Sequence, residues 1–510
     1  MRPLRSVAAV AIALLALPLA ACVPAPSPTS TPTGEDVAAE LEPYYTQSLV
    51  WEDCGGGMQC TTATAPLDWS APDASDDIEL ALVRHTASGE REGSLFVNPG
   101  GPGASGYNFV HDSLDFAVSE DLQSRFDVIG WDPRGVGRST AVDCYDGPEL
   151  DEFLFGFPEA AVGTDAYAQE VTASAKAFAD ACLERSGELL QFIDTESTVN
   201  DLDLLRALVG DADLNYLGYS YGSDIGAHYA ERYPDKVGRV VLDGATDSSL
   251  SLFDVNLAQT QAFGEALRAY LEDCLDSSDC PFRGTVDDAI GQIRDLLDAL
   301  DQAPLRAEDG RQLTSAYLGT AVQSALYDEG YWRYLTDAFT EVRQGRSDTA
   351  FLLADAYVDR DEDGSYRSNL QEAFIAITCV DYPIETDAAE LARQRDLLAE
   401  ADPISEPEDL DALGDVVCQQ WPYGFRGEVE TVSADGAAPI LVVGTTGDPA
   451  TPYPWAEALA DQLASGVLLT YVGEGHIAYD EGDPCIVGAV DEYLIDGTVP
   501  QDGLVCDPTS

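Results

Sequence analysis

The sequence predicts an α/β fold, a mostly parallel central sheet with a largely helical cap inserted before the last two core strands. Three observations carry this. Strand-like runs, several of them continuous stretches of Val, Leu and Ile, recur at Ile78–Arg84, Ser94–Asn98, Phe126–Trp131, Asn215–Gly218, Arg239–Asp243, Pro439–Gly444 and Val467–Val472. Continuous apolar runs of this kind suit strands covered by helices on both faces. Helix-length stretches such as Ala166–Glu184 and Asp224–Tyr233 lie between them, the alternation expected of parallel strands joined by crossovers. From about Asp247 to Gly436 the alternation stops. That block reads as helices over Leu252–Leu275, Val286–Leu300, Thr314–Tyr327, Tyr331–Gln344, Leu370–Ile377 and Ala388–Leu398.

The expected organisation is therefore a leader over residues 1–21, a tether over 22–40, a first core segment over 41–246, a cap over 247–436 and a last core segment over 437–510. Arg2 and Arg5 precede the apolar run Val7 to Leu19, which is too short for a comfortable membrane span. The run ends Leu19-Ala20-Ala21-Cys22, which resembles a bacterial lipobox and implies a lipidated Cys22. Ordinary cleavage after a small residue, leaving Cys22 unmodified, is the alternative. Val23 to Gly34 is rich in Pro, Ser and Thr and reads as a solvated spacer.

Of the eleven cysteines, lipidation of Cys22 would remove the odd one. The other ten fall in order as Cys54 with Cys60, Cys144 with Cys182, Cys274 with Cys280, Cys379 with Cys418, and Cys485 with Cys506. Order does not fix connectivity, and nearest-neighbour pairing is the simplest arrangement. No CxxC or Cys/His spacing suits zinc, so disulfides formed outside the cytoplasm are expected, and no metal. The net charge is −66, with Lys176 and Lys236 the only lysines. Such a surface repels nucleic acid and reads as a solvated acidic coat. Asp359 to Gly364 begins like a calcium loop, but Leu370 stands where the bidentate Glu belongs, so an acidic cap loop is expected.

Gly218-Tyr219-Ser220-Tyr221-Gly222 is the chain's single G-x-S-x-G. It follows one expected strand and opens a helix, the setting of a nucleophile elbow and hence of an α/β-hydrolase fold. Ser220 needs a base, and the chain has four histidines. His85 and His111 precede Ser220, and His228 lies in the helix leaving it, where helix packing explains it. His476, in Gly473-Glu474-Gly475-His476 just beyond a strand, has the position the fold requires. The acid belongs between them on a post-strand loop. Asp448 in Gly447-Asp448-Pro449 is preferred, and Asp243 in Leu242-Asp243-Gly244 is its rival. Asn98 to Gly103 (NPGGPG) follows a strand and can aim backbone N–H groups at an oxyanion. The N–H of Tyr221 is the expected second donor.

Asn98–Gly106 (NPGGPGASG), Trp131–Ser139 (WDPRGVGRS), Gly218–Gly222 (GYSYG), Asp448–Pro452 (DPATP) and Gly475-His476 occur in this order. Together they resemble the actinobacterial tripeptidyl aminopeptidase family, in the prolyl-aminopeptidase group of α/β-hydrolases. That family includes envelope-anchored lipoproteins and members described as carboxylesterases. The likeness runs from about Leu41 to Cys506. It implies a triad of Ser220, Asp448 and His476, and Gly101 as the other oxyanion donor, with Pro99 replacing the related group's His. It also implies a structural role for Asp132 and Arg134, and support of the triad by Thr451.

The activity implied is release of short peptides, tripeptides foremost, from free N-termini, by a monomer that needs no cofactor and meets the membrane only through its lipid. A carboxylesterase or lipase would use the same triad, and a non-catalytic peptide-binding lipoprotein is the reading from another class. An exopeptidase must also bind an α-ammonium, and a carboxylate under the cap would do so. Glu372 and Asp381 are the candidates.

Overall fold

The computed structural model describes residues 27–508 apart from 157, 162, 308–309, 405–414, 428, 430 and 480–481. The leader and Cys22 lie outside the described residues. Twelve strands are described: β1 (Glu52–Gly55), β2 (Met58–Pro66), β3 (Asp77–His85), β4 (Gly93–Asn98), β5 (Phe126–Trp131), β6 (Leu214–Tyr219), β7 (Val237–Asp243), β8 (Leu305–Arg306), β9 (Gln312–Leu313), β10 (Ile440–Gly447), β11 (Gly466–Glu474) and β12 (Leu504–Cys506). Ten form one sheet in the order β1-β2-β3-β5-β4-β6-β7-β10-β11-β12. Pairing is antiparallel from β1 to β5 and parallel from β5 to β12.

All seven strands read from the apolar runs lie in this sheet. Every residue of β4 and β5 is buried, as expected with helices on both faces. The register levels the strands' carboxyl ends. Asn98 stands opposite Gly218, Tyr219 opposite Asp243, and Val443 opposite Asp243. The loops after β4, β6, β7 and β10 therefore open at one height on one edge, and that is where the candidate residues sit.

The helix Thr195–Val209 has no clear amphipathic signature because it is buried nearly all round, polar residues included. Arg134, with no exposed side-chain surface, makes two 2.7 Å bonds to Asp201 of this helix and also donates to the carbonyls of Pro66, Leu67 and Phe192. Arg206 of the same helix binds Asp203 and, at 2.6 Å, Glu35. The second half of the expected spacer is largely exposed, yet it is tied to the body of the protein. Ser30 donates to the Leu49 carbonyl, Thr33 donates to that of Ala207, and Glu35 meets Lys236 at 2.8 Å. A buried guanidinium requires anionic partners, and Glu35 supplies one.

Among the described residues between β7 and β10, the regular elements are helices apart from the β8–β9 hairpin. Its apolar packing divides in two. Leu267, Tyr270, Phe282, Ile293, Leu318 and Phe339 belong to a hydrophobic core of their own. Ala373, Ala376, Ile377 and Val380, on the helix Leu370–Asp381, belong instead to the core under the sheet. In the Asp359–Gly364 loop, Arg360 forms two bonds to Asp151, tying the loop to the helix Gly147–Phe155. All five nearest-neighbour cysteine pairs are disulfides.

Candidate active site

Ser220 stands between β6 and the helix Tyr221–Arg232 with φ 54° and ψ −127°. A non-glycine residue held there costs about 1–3 kcal/mol, and its surroundings must impose it. Here the Ser220 N–H donates to the Asp243 carbonyl at 2.9 Å, and Ser223 donates both its N–H and its Oγ–H to the Ser220 carbonyl. The flanking glycines are sterically required. A Cβ on Gly218 would lie 2.3 Å from the Gly222 oxygen, and one on Gly222 would lie 2.7 Å from the Asn98 oxygen.

The glycine-rich loop after β4 lies directly against this elbow. A Cβ on Gly100 would stand 2.5 Å from the Tyr219 oxygen and 2.8 Å from the Tyr221 nitrogen. Gly101 follows with φ 107° at an exposed position. Tyr221 is in the first helical turn, so its N–H has no partner within the helix. The loop's exit is fixed by Asp132. This buried carboxylate accepts Ser105 Oγ at 2.5 Å and the N–H groups of Tyr107 and Arg138. Ser105 in turn caps the helix Gly106–Asp112.

Asp448 follows β10 and is 3% exposed. Its Oδ1 accepts the N–H groups of Ala450 and Thr451, and its Oδ2 accepts Thr451 Oγ1 and the Ile477 N–H. His476 Nδ1 lies 2.9 and 3.0 Å from the two oxygens. Thr451 Oγ1 is 3.2 Å from the same Nδ1. The imidazole thus has its Nδ1 edge held by a carboxylate, which fixes its tautomer and orientation. Its Cε1 lies beside Gly244, where a Cβ would come within 3.1 Å. Asp243, the rival acid, turns its carboxylate to the N–H groups of Ala478 and Tyr479 and not to the imidazole. Burial pushes its carboxyl up to about 6.

The two carboxylates expected to meet an ammonium sit differently. Glu372 is buried, and its Oε1 accepts the N–H groups of Cys144 and Tyr145, a cap on a core loop. Burial raises its carboxyl. Asp381 lies beside the elbow: it accepts the Thr195 N–H at 2.8 Å and Thr195 Oγ1 at 2.7 Å, and Tyr221 Oη is 3.5 Å away. Burial pushes its carboxyl up to about 7, with Asp194 and Asp224 adding to the shift.

Three neighbours escape sequence reasoning. Asp224, in the first turn after the nucleophile, accepts Ser248 Oγ at 2.6 Å. His228, read from sequence as helix packing, lies 3.7 Å from Asp224 and 3.4 Å from Glu196. Burial would lower it, but the two carboxylates carry it up to about 9. The i,i+4 spacing of Asp224 and His228 was the available signal. Tyr327 comes from the inserted block and had none. Its carbonyl accepts the His476 N–H at 2.8 Å, and its ring stands edge-on to the imidazole at 5.3 Å.

A family model described as TAP-like protein matches residues 409–506, the stretch that carries Asp448 and His476. Serine protease Hip1 of Mycobacterium tuberculosis is 36% identical over 492 residues, 92% of this chain and 93% of that protein. Carboxylesterase B of the same species is 35% identical over 466 residues, 88% and 86% of the two chains. Tripeptidyl aminopeptidase of Streptomyces lividans is 30% identical over 480 residues, 90% and 86%. With identity of this extent and a sheet of this topology, the chain belongs to the tripeptidyl aminopeptidase family of α/β-hydrolases and is a serine hydrolase.

Proposed function

We propose that the chain is an extracytoplasmic aminopeptidase that releases short peptides, tripeptides foremost, from free N-termini through an acyl-enzyme on Ser220. The observation that carries this reading is the Asp448–His476 pair standing beside Gly244, next to the residue whose carbonyl holds Ser220. Ser220 Oγ attacks the scissile carbonyl while His476 Nε2 takes its proton, and Asp448 stabilises the imidazolium. The N–H groups of Tyr221 and Gly101 receive the oxyanion. The imidazolium then protonates the leaving amine, and water, activated by the same His476, cleaves the ester.

Specificity for a free N-terminus is assigned to Asp381 with Asp224. Burial raises Asp381, with the negative charge of Asp224 adding to it, and although His228 already faces Asp224, an arriving ammonium beside Asp381 would favour its charged form by charge-assisted hydrogen bonding. Glu372 is left out of this role because its carboxylate turns to the Cys144–Tyr145 loop, whereas Asp381 lies beside Tyr221 of the elbow. Five disulfides support a location outside the cytoplasm, and a lipid on Cys22 would hold the enzyme at the membrane.

A relative named Carboxylesterase B, at 35% identity, favours esterase action as the second reading. Both are tested by one comparison. Tripeptide p-nitroanilides with free and acetylated N-termini are assayed beside a matched p-nitrophenyl ester, with Ser220→Ala as control. The proposal expects turnover of the free tripeptide, loss of most of it on acetylation, and none in Ser220→Ala. Rapid turnover of the ester with little turnover of either anilide would establish the esterase reading, and equal turnover of free and acetylated anilides would remove the specificity for a free N-terminus.

A further inference from the structure

We propose that Asp243 is a positioning residue for the reaction, whose carbonyl holds the nucleophile while its carboxylate clamps the backbone that carries the base. The inference rests on the triad reading above. Asp243 ends β7, which lies between β6 and β10, and so stands between the elbow and the loops of Asp448 and His476. Its main-chain oxygen accepts the Ser220 N–H at 2.9 Å. Its Oδ1 accepts the Ala478 N–H at 3.0 Å, and its Oδ2 accepts the Tyr479 N–H at 2.8 Å. One residue therefore spans from Ser220 to the two residues that follow His476 and Ile477.

The clamped backbone is strained. Ile477 has φ 66°, a region that a β-branched side chain enters at a cost of about 1–3 kcal/mol. Such a conformation persists only where its surroundings over-determine it. Here the Ile477 N–H goes to Asp448 Oδ2, the Ile477 carbonyl takes Thr445 Oγ1 at 3.1 Å, and the next two N–H groups go to Asp243. The far end is fixed as well, since Tyr479 Oη donates to Asp491 at 2.7 Å. Gly244 completes the arrangement by leaving space. A Cβ there would meet Ile477 Cγ2 at 2.8 Å and Thr451 Oγ1 at 3.1 Å.

The chemistry of the group agrees with this role. Asp243 is fully buried, and among the described residues no Lys or Arg pairs with it. A buried carboxylate without a cation is costly, and an apolar residue would fill the same space at less cost. An acceptor for two convergent N–H groups is what the strained turn needs. Asparagine supplies this less well, because in either orientation its amide nitrogen would face the Ala478 N–H, which lies near both oxygens.

The test is Asp243→Asn in the full chain, assayed on a free tripeptide p-nitroanilide beside Ser220→Ala. The low-field proton resonance of His476 Nδ1–H is recorded for each protein. A displacement of the imidazole by an ångström or less predicts a fall in kcat of about 10–100-fold with KM unchanged, and a shifted or broadened resonance. Thr445→Val, which removes the bond to the Ile477 carbonyl, is expected to act in the same direction and non-additively with Asp243→Asn. Wild-type kcat and resonance in folded Asp243→Asn would overturn the proposal. If that variant does not fold, the same result in Thr445→Val would overturn it. Full turnover by Ser220→Ala would instead remove the triad reading itself.

Discussion

Replacing Asp448 by Asn separates the two carboxylates that compete for the role of triad acid. Five donors converge on Asp448: the N–H groups of Ala450, Thr451 and Ile477, Thr451 Oγ1, and His476 Nδ1. An asparagine in the same rotamer keeps Oδ1 for Ala450 and Thr451 but presents an NH2 group where Oδ2 stood. Thr451 Oγ1 can rotate to accept from it, whereas the Ile477 N–H cannot and is left buried without a partner, at a cost of about 1–3 kcal/mol in stability. His476 responds by changing tautomer, so that Nδ1 accepts and Nε2 carries the proton. In that form Nε2 cannot take the proton of Ser220. The expected loss is about 10³–10⁴-fold in kcat, equivalent to about 4–5.5 kcal/mol of transition-state stabilisation, with KM little changed. Steady-state kinetics on a tripeptide p-nitroanilide, with urea unfolding for stability, measures both quantities. A kcat within tenfold of wild type, together with an inactive Asp243→Asn, would transfer the acid's role to Asp243 and refute the assignment.

Two further predictions concern the scaffold. Arg134→Met leaves Asp201 buried with its charge unpaired, and should lower the unfolding free energy by about 3–5 kcal/mol in urea titration, while Arg134→Met/Asp201→Leu recovers a large part of it. A single-variant loss under 1 kcal/mol would contradict the packing described here. The second is pH dependence. Asp381 is raised to about 7 and Asp243 to about 6 from an ordinary 3.8, so the folded chain holds their protons over a range where the unfolded chain has lost them. His228 is raised to about 9 from 6.5, and its contribution is full below 6.5 and lost as pH rises through 9. All three make stability fall as pH rises. The melting temperature measured by calorimetry should therefore decline from about pH 5 to about pH 9, less steeply in Asp381→Asn. A rising melting temperature would reverse the signs assigned to these groups.

Much of the fold was legible in the sequence because strands covered on both faces are largely apolar, and several of the seven core runs have that character. β2 was missed since its Cys-Thr-Thr-Ala-Thr-Ala stretch carries no such run, and the helix Thr195–Val209 because burial all round erases the apolar stripe. The spacer composition of residues 23–34 pointed to solvent, while Glu35 and the carbonyls of Leu49 and Ala207 tie the neighbouring chain to the body.

By itself the sequence determined the order of chemistry along the chain: a serine on a strand–turn–helix, a glycine-rich loop before it, and one histidine at the right distance after it. These are local signals, because φ > 0, close strand–helix approach and post-strand position each demand particular residue types within a few positions. Which aspartate faces His476, and that Asp381 rather than Glu372 lies beside Tyr221, only the tertiary structure decided. Both questions depend on the directions of carboxylates brought together from segments tens to hundreds of residues apart. In a chain with 92 acidic residues, no local pattern distinguishes the few that converge from the many that face water.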